Sequence, residues 1–128
     1  MRIILSAIVL LILLTNGCQE PAPKYPSGGP YFYHYCNKYY LPFRPLDEIT
    51  YDQMLQIQEQ SGSYYVAYFD KEGRIAKLSY YDNGKFEFED RYYYQDNIIR
   101  RELTYSNGRN SFGVIDKKGH YISAKQEH

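Results

Sequence analysis

The chain has 128 residues with 15 basic and 15 acidic side chains, so its formal net charge is zero. This length is enough for one domain, and the balanced charge provides no global field that would recruit nucleic acid or an anionic membrane. The chain contains 17 Tyr and no Trp, a composition that favours strands, and its two cysteines are too few for a disulfide framework.

Residues 1–17 have the pattern of a signal peptide. Arg2 precedes an apolar run from Ile3 to Leu14, which is interrupted only by Ser6. A run of this length is typical of the hydrophobic region of a signal and is short for a membrane span. The N-terminus therefore predicts export.

The end of this run, Leu14-Thr15-Asn16-Gly17-Cys18, resembles the lipobox of bacterial lipoproteins. The resemblance implies that Cys18 is lipidated, with palmitate among its acyl chains, and becomes the membrane-anchored mature N-terminus. Gln19 is, by the same resemblance, compatible with sorting to the outer membrane, so we expect a cell-envelope protein that faces the periplasm. A Cys18–Cys36 disulfide is the alternative in an oxidising compartment if Cys18 is not lipidated.

Residues 18–30 contain Cys18 and four of the six prolines, which predicts a disordered tether followed by a domain over residues 31–128. Residues 31–43 are aromatic, and we predict two short strands around Asn37-Lys38. Residues 50–62 have the pattern of a helix. Thr50 and Gln53 match a capping box at its start, and Gly62 suits its C-terminal end.

Turn signals recur after the helix at residues 70–73, 82–84, 95–97, 106–108 and 116–119. Their regular spacing is typical of short strands that pair in succession. We therefore predict a mainly β domain of the α+β type. It is an antiparallel β-meander of about five to six strands, whose apolar face is covered by the one short helix and the N-terminal aromatic segment.

Strand pairing at three of these loops predicts which side chains share a face. A three-residue loop at 82–84 pairs Tyr80 with Phe86, and a two-residue loop at 96–97 pairs Asp90 with Leu103. A two-residue loop at 107–108 then pairs Leu103 with Phe112. The resulting apolar face contains Leu78, Tyr80, Phe86, Phe88, Tyr92, Ile99, Leu103, Tyr105, Phe112 and Val114.

Asp90 and Arg101 are the exceptions on this apolar face, where the pairing places them on neighbouring strands as diagonal neighbours. We interpret them as a structural ion pair. A functional carboxylate with a shifted pKa is the alternative. The same pairing places no second acid or histidine beside Asp90, which favours the structural interpretation and predicts that the chain is not an enzyme.

Other candidate chemistry is sparse. His34 and Cys36 lie two residues apart, which is too few ligands for a metal site, and a Cys–His nucleophile pair would need a third, orienting group. The sequence has no phosphate loop, no recognisable pair of catalytic carboxylates and no basic stripe. We expect no metal, no cofactor and no nucleic acid partner.

The reverse face of the predicted sheet is more informative, because Tyr81, Arg91, Tyr93 and Arg100 alternate there with other charged residues. One interpretation is a solvated face with cross-strand charge pairs. The other is a binding surface, since Tyr and Arg are enriched at interface hot spots.

Two further resemblances concern the domain. The segment YFDKEGRIAKLSYYDNGKFEFEDRYYYQDN resembles the Tyr-Asp repeats of bacterial RHS-type proteins and related short hairpin-repeat proteins, some of them antitoxin-like. This resemblance implies hairpins. The segments Tyr33-His34-Tyr35-Cys36 and Ser61-Gly62-Ser63-Tyr64 are similar to the small β-barrel lipoproteins that inhibit lysozyme.

These observations predict a lipid-anchored envelope protein that acts as a non-catalytic protein-binding module. Its partner would be a toxin or another envelope protein, and its role immunity to the toxin or inhibition of an envelope hydrolase. One alternative is a structural lipoprotein of envelope assembly with no discrete ligand. Another is a small enzyme that uses Asp90, His34 or Cys36.

Overall fold

The computed structural model describes residues 21–127, so the predicted signal peptide and Cys18 lie outside the described residues. The elements are β1 (Gly28–Asn37), β2 (Arg44–Ile49), α1 (Tyr51–Glu59), β3 (Ser63–Phe69), β4 (Ile75–Asp82), β5 (Lys85–Gln95), β6 (Ile98–Tyr105), β7 (Asn110–Asp116) and β8 (Tyr121–Glu127). The prediction of a mainly β antiparallel domain with one short helix is confirmed. The predicted number of strands, about five to six, is wrong, because the described residues form eight.

The strands form one antiparallel sheet in the order β2-β1-β3-β4-β5-β6-β7-β8. From β3 onward each strand pairs with the next, which is the predicted meander. β1 lies between β2 and β3, and the connection that contains α1 returns the chain from β2 to β3. The prediction of two short strands within residues 31–43 is wrong for the second strand, because residues 38–43 form a loop and Asn37 pairs with Arg44, the first residue of β2.

The hairpin of β5 and β6 has the predicted register. Asp90 lies opposite Leu103, Tyr92 lies opposite Arg101, and Gln95 lies opposite Ile98 across the two-residue loop at 96–97. This is the pairing that places Asp90 and Arg101 diagonally on one face.

The hairpin of β4 and β5 corrects the predicted three-residue loop at 82–84. Asn83 and Gly84 both have positive φ values, 53° and 71°, and form a two-residue turn. Tyr81 therefore lies opposite Phe86, and the register shifts at a bulge, so that Tyr80 lies opposite Phe88. Phe86 consequently leaves the predicted apolar face and packs against Tyr81, with ring centroids 5.9 Å apart.

The hairpin of β6 and β7 is also offset by one residue from the prediction. The loop spans residues 106–108, where Gly108 has a φ of 85°, and Leu103 lies opposite Ser111 instead of Phe112. The offset moves Phe112 and Val114 to the reverse face. Ile115 is completely buried in their place.

The core lies on one face of the sheet, called here the inner face. Its buried apolar residues are Tyr33, Tyr65, Ala67, Phe69, Ile75, Leu78, Tyr92, Ile99 and Ile115. Two segments pack onto this face: the loop of residues 38–43, and Tyr25, whose ring stacks on Phe69 at 4.4 Å between centroids. Tyr25 and the start of β1 at Gly28 both fall in the predicted tether 18–30, so the end of that segment belongs to the folded domain.

Helix α1 has the predicted capping box, in which the Thr50 hydroxyl accepts from the Gln53 amide and the Gln53 side chain accepts from the Thr50 amide. The prediction that α1 covers the core is wrong. The Tyr64 hydroxyl donates to Gln58 Oε1 at 3.2 Å, and Tyr64 alternates in β3 with Tyr65, which belongs to the core. The helix therefore packs on the reverse face, where Tyr64 stacks on Tyr81.

Candidate functional site

The Asp90 carboxylate is the most deeply buried charged group in the described residues, with 0% of its surface exposed. Arg101 donates to it twice, from Nε to Oδ1 and from one terminal guanidinium nitrogen to Oδ2, each at 2.8 Å. The Tyr92 hydroxyl donates to Oδ2 at 2.5 Å. Both carboxylate oxygens are therefore engaged by neighbours on β5 and β6.

Tyr92 and Arg101 of the same cluster also contact the loop of residues 38–43 and strand β8. The backbone N–H of Phe43 donates to the Tyr92 hydroxyl at 3.1 Å, and the Arg101 guanidinium lies 4.6 Å from the centre of the Phe43 ring. Arg101 also donates to the Tyr121 hydroxyl on β8 at 2.5 Å. Asp90 thus joins two central strands, the covering loop 38–43 and the edge strand β8.

The pKa shifts of Asp90, Arg101 and Tyr92 are those expected of a buried structural ion pair. Burial raises the pKa of Asp90, and the hydrogen bonds and charge of Arg101 oppose that rise. Burial alone would lower the pKa of Arg101, but the hydrogen bonds that Arg101 donates to Asp90 and the nearby charges outweigh it and raise that pKa. Burial, together with the Asp90 charge, raises the pKa of Tyr92 well above its ordinary value, so its hydroxyl stays protonated as a donor. The bidentate guanidinium favours the ionised form of the carboxylate, against the larger effect of burial, which leaves the pKa of Asp90 raised.

The chemistry open to this cluster is limited by its burial. A general acid or base must come within hydrogen-bond reach of the substrate proton that it transfers. Both Asp90 oxygens are engaged by Arg101 and Tyr92 behind the covering loop, so no substrate atom has that access in this conformation. The arrangement is suited to holding the fold together.

The other candidate nucleophile and ligand groups do not form a site. Burial raises the pKa of the Cys36 thiol to about 12, which leaves little thiolate at neutral pH. His34 Nδ1 lies 3.5 Å from Asp47 Oδ2 at the surface. In residues 21–127 no group of three His, Cys, Asp or Glu side chains has the placement to hold a metal ion.

The reverse face contains a charge network around Glu89, in which the Lys77 contact joins β4 to β5 and the Arg91 contact lies within β5. Arg91 Nε donates to Glu89 Oε2 at 2.8 Å, and Lys77 Nζ lies 3.7 Å from Glu89 Oε1. Lys77 also lies over the ring of Tyr68, at 4.4 Å from its centroid. These contacts fix the directions of long side chains that would otherwise sample many rotamers.

Three of the four predicted surface residues come together, and we call Arg91, Tyr93 and Arg100 the β5–β6 patch. Tyr93 is directly opposite Arg100, and the guanidinium of Arg100 lies 5.1 Å from the Tyr93 ring centroid. Tyr93 remains 37% exposed. Tyr81 does not belong to this patch, because it is half-buried between Tyr64 and Phe86.

Sequence reasoning did not find a cavity of about 560 Å³ at one end of the sheet. Its lining includes basic residues from three separate segments, namely Arg44 of β2, Arg74 of the β3–β4 turn, and Lys117 and Lys118 of the β7–β8 turn. The groups DKEG and DKKG signal turns in the sequence, but nothing in their spacing shows that the cations beside them face a common space. Tyr92 and Tyr121 were likewise not predicted as partners of the Asp90–Arg101 pair. The two-residue spacing of Tyr92 from Asp90 was a usable signal for the first of these.

Comparison with family models, with curated proteins and with solved structures finds no match to this chain. Within the part of the chain that the structure describes, no helix has the length and apolar character needed to cross a membrane. Because the comparisons find no match, they supply no function for this protein.

Proposed function

We propose that this chain is a non-catalytic protein-binding module of the bacterial cell envelope, held at the outer membrane through a lipid on Cys18 and facing the periplasm. The signal-like run and the lipobox-like residues before Cys18 support the anchor. The closed environment of Asp90 supports a non-catalytic role. The partner is a folded protein, such as a secreted toxin or an envelope hydrolase.

The observation that carries this proposal is the β5–β6 patch. It lies on two central strands of the sheet, which hold side chains more rigidly than loops do. Tyr and Arg are the residue types most enriched at interface hot spots, and side chains that are already ordered lose less entropy on binding. The Arg100–Tyr93 contact and the Arg91–Glu89 hydrogen bond provide this order before any partner arrives.

Charge on the patch indicates the chemistry of the partner. Glu89 neutralises Arg91, whereas Arg100 forms no ion pair within residues 21–127. An acidic side chain on the partner can therefore pair with Arg100 while an apolar group packs on the Tyr93 ring. We expect the contacting surface of the partner to be acidic.

Photo-crosslinking in cells tests the proposal. The full chain carries a photoreactive phenylalanine analogue at Tyr93, and a matched chain carries it at Lys85, an exposed residue near the β4–β5 turn. We expect one discrete protein adduct from position 93 that is lost when Arg100→Glu is added, and no such adduct from position 85. Absence of a discrete adduct at position 93, or the same adduct at both positions, would contradict the proposal and favour a structural envelope role.

The membrane anchor has a separate test. Cys18→Ser should abolish incorporation of labelled palmitate and release the chain from the membrane fraction, whereas Cys36→Ser should do neither. Labelling that persists in Cys18→Ser would exclude lipidation at this residue.

A further inference from the structure

We propose that the cavity at the end of the sheet binds a small organic anion with an apolar ring, such as an aromatic carboxylate, sulfonate or phosphate. The cavity lies beside the β3–β4, β5–β6 and β7–β8 turns, and its volume of about 560 Å³ is within the usual range for small-molecule sites. No residue of the β5–β6 patch lines it. The proposal is therefore independent of the protein partner proposed above.

The charge of the lining favours an anion. Arg44, Arg74, Lys117 and Lys118 contribute basic groups, and none of the lining residues is an aspartate or a glutamate. Cations that converge from separate segments raise the local concentration of anions. A phosphate, sulfonate or carboxylate group can accept from arginine and lysine donors together.

Acidic residues beside the cavity offset part of this charge. Asp70 Oδ2 accepts from Arg74 Nε at 2.8 Å, and Glu72 lies 3.5 Å from the same guanidinium. Asp116 lies 3.9 Å from His120. Lys117 and Lys118 are exposed in the β7–β8 turn, and they are the groups best placed to meet an incoming anion.

The apolar part of the lining favours a ring in the ligand. Phe43, Ile75 and Ile99 line the cavity, and both isoleucines belong to the buried core. Apolar surface of this kind is stabilised when it is covered by an apolar ligand body.

Two arginine–tyrosine stacks add flat surfaces to the same lining. The Arg44 guanidinium lies 3.6 Å from the ring centroid of Tyr40, and the Arg74 guanidinium lies 4.2 Å from that of Tyr94. Guanidinium planes and aromatic faces both accept a further stacked ring. A ligand that joins an aromatic ring to an anionic group would use both features of the cavity.

Calorimetric titration of the full chain in detergent micelles tests this inference, with protein-free micelles as the blank. The three probes are naphthalene-2-sulfonate, the neutral naphthalene-2-methanol, and methanesulfonate, which has the anion without the ring. We expect the naphthalene sulfonate to bind at least about tenfold more tightly than either of the others. No heat above the blank, or equal binding of the neutral ring, would overturn the proposal.

Matched variants locate the site. Lys117→Ala/Lys118→Ala should weaken naphthalene-2-sulfonate binding by about tenfold, because it removes two of the converging charges. Lys85→Ala/Arg109→Ala changes the net charge equally at turns on the opposite end of the sheet and should leave the affinity unchanged. An unchanged affinity in the first variant, or the same loss in both, would show that the cavity is not the binding site.

Discussion

Replacing the buried carboxylate of Asp90 by an amide should destabilise this protein strongly. Asp90→Asn keeps the size of the side chain but leaves the Arg101 guanidinium, which is only 10% exposed, without its counter-charge. Breaking a buried ion pair by removing one partner costs about 3–5 kcal/mol. For a domain of this size each kcal/mol lowers the melting temperature by roughly 4–8 °C, so a fall of at least about 12 °C is expected.

A control lies one residue away on the same strand. Glu89→Gln also removes a carboxylate that contacts two basic side chains, but this carboxylate is on the reverse face and partly exposed. Exposed ion pairs contribute about 0–1 kcal/mol, so this variant should melt within a few degrees of the wild type. Both substitutions replace a carboxylate by an amide, and the main difference between the two sites is burial.

The double variant Asp90→Leu/Arg101→Met separates the charge from the packing. It removes both buried charges at once, and such replacements are often neutral or stabilising. We expect it to be more stable than Asp90→Asn, as measured by urea denaturation followed with circular dichroism. If Asp90→Asn cost no more than Glu89→Gln, the carboxylate would not hold the fold together and its interpretation as a functional group would regain support.

Two further predictions concern the tyrosines and one glycine. Burial raises the pKa values of Tyr25 and Tyr65 from 10.0 to about 12, so the stability they contribute is present below pH 10 and is lost as the pH rises toward 12. The urea concentration at the unfolding midpoint should fall over that interval as tyrosinate absorbance appears. A midpoint that stays constant while these tyrosines ionise would contradict this prediction. A Cβ atom at Gly113 would lie 2.6 Å from the Tyr121 ring, so Gly113→Ala should displace the ring from Arg101 at a cost of about 1–2 kcal/mol. The same substitution should cost much less in a Tyr121→Ala background, and an equal cost in both backgrounds would place the strain elsewhere.

The sequence predicted the β5–β6 hairpin correctly because its loop and its side-chain alternation agree. The predicted registers of the two adjoining hairpins were wrong because each loop sequence is compatible with two loop lengths. In the β4–β5 hairpin, a two-residue turn followed by a bulge allows Phe86 to pack beside Tyr81, which itself stacks on Tyr64 of β3. That preference depends on a strand far along the chain, and local turn chemistry does not contain it.

The contacts of the cluster around Asp90 could also be predicted only in part from local sequence. The diagonal placement of Asp90 and Arg101 followed from the pairing of two neighbouring strands. The contacts with Phe43 and Tyr121 depend on how a loop folds over the sheet and on how an edge strand aligns. Such long-range contacts are set by the packing of the whole domain, as is the convergence of Arg44, Arg74 and Lys118 on one cavity.

We propose that the two faces of β5 differ in role: the inner face holds the fold together, and the exposed reverse face binds the partner. The most direct measurement compares the melting temperatures of Tyr92→Phe and Tyr93→Phe, which remove one hydroxyl each from adjacent residues. The Tyr92 hydroxyl donates to Asp90 and accepts from Phe43, so its loss should cost about 1–3 kcal/mol. Tyr93→Phe should change stability by less than about 0.5 kcal/mol. Equal melting temperatures, or a larger loss in Tyr93→Phe, would contradict this difference between the two faces.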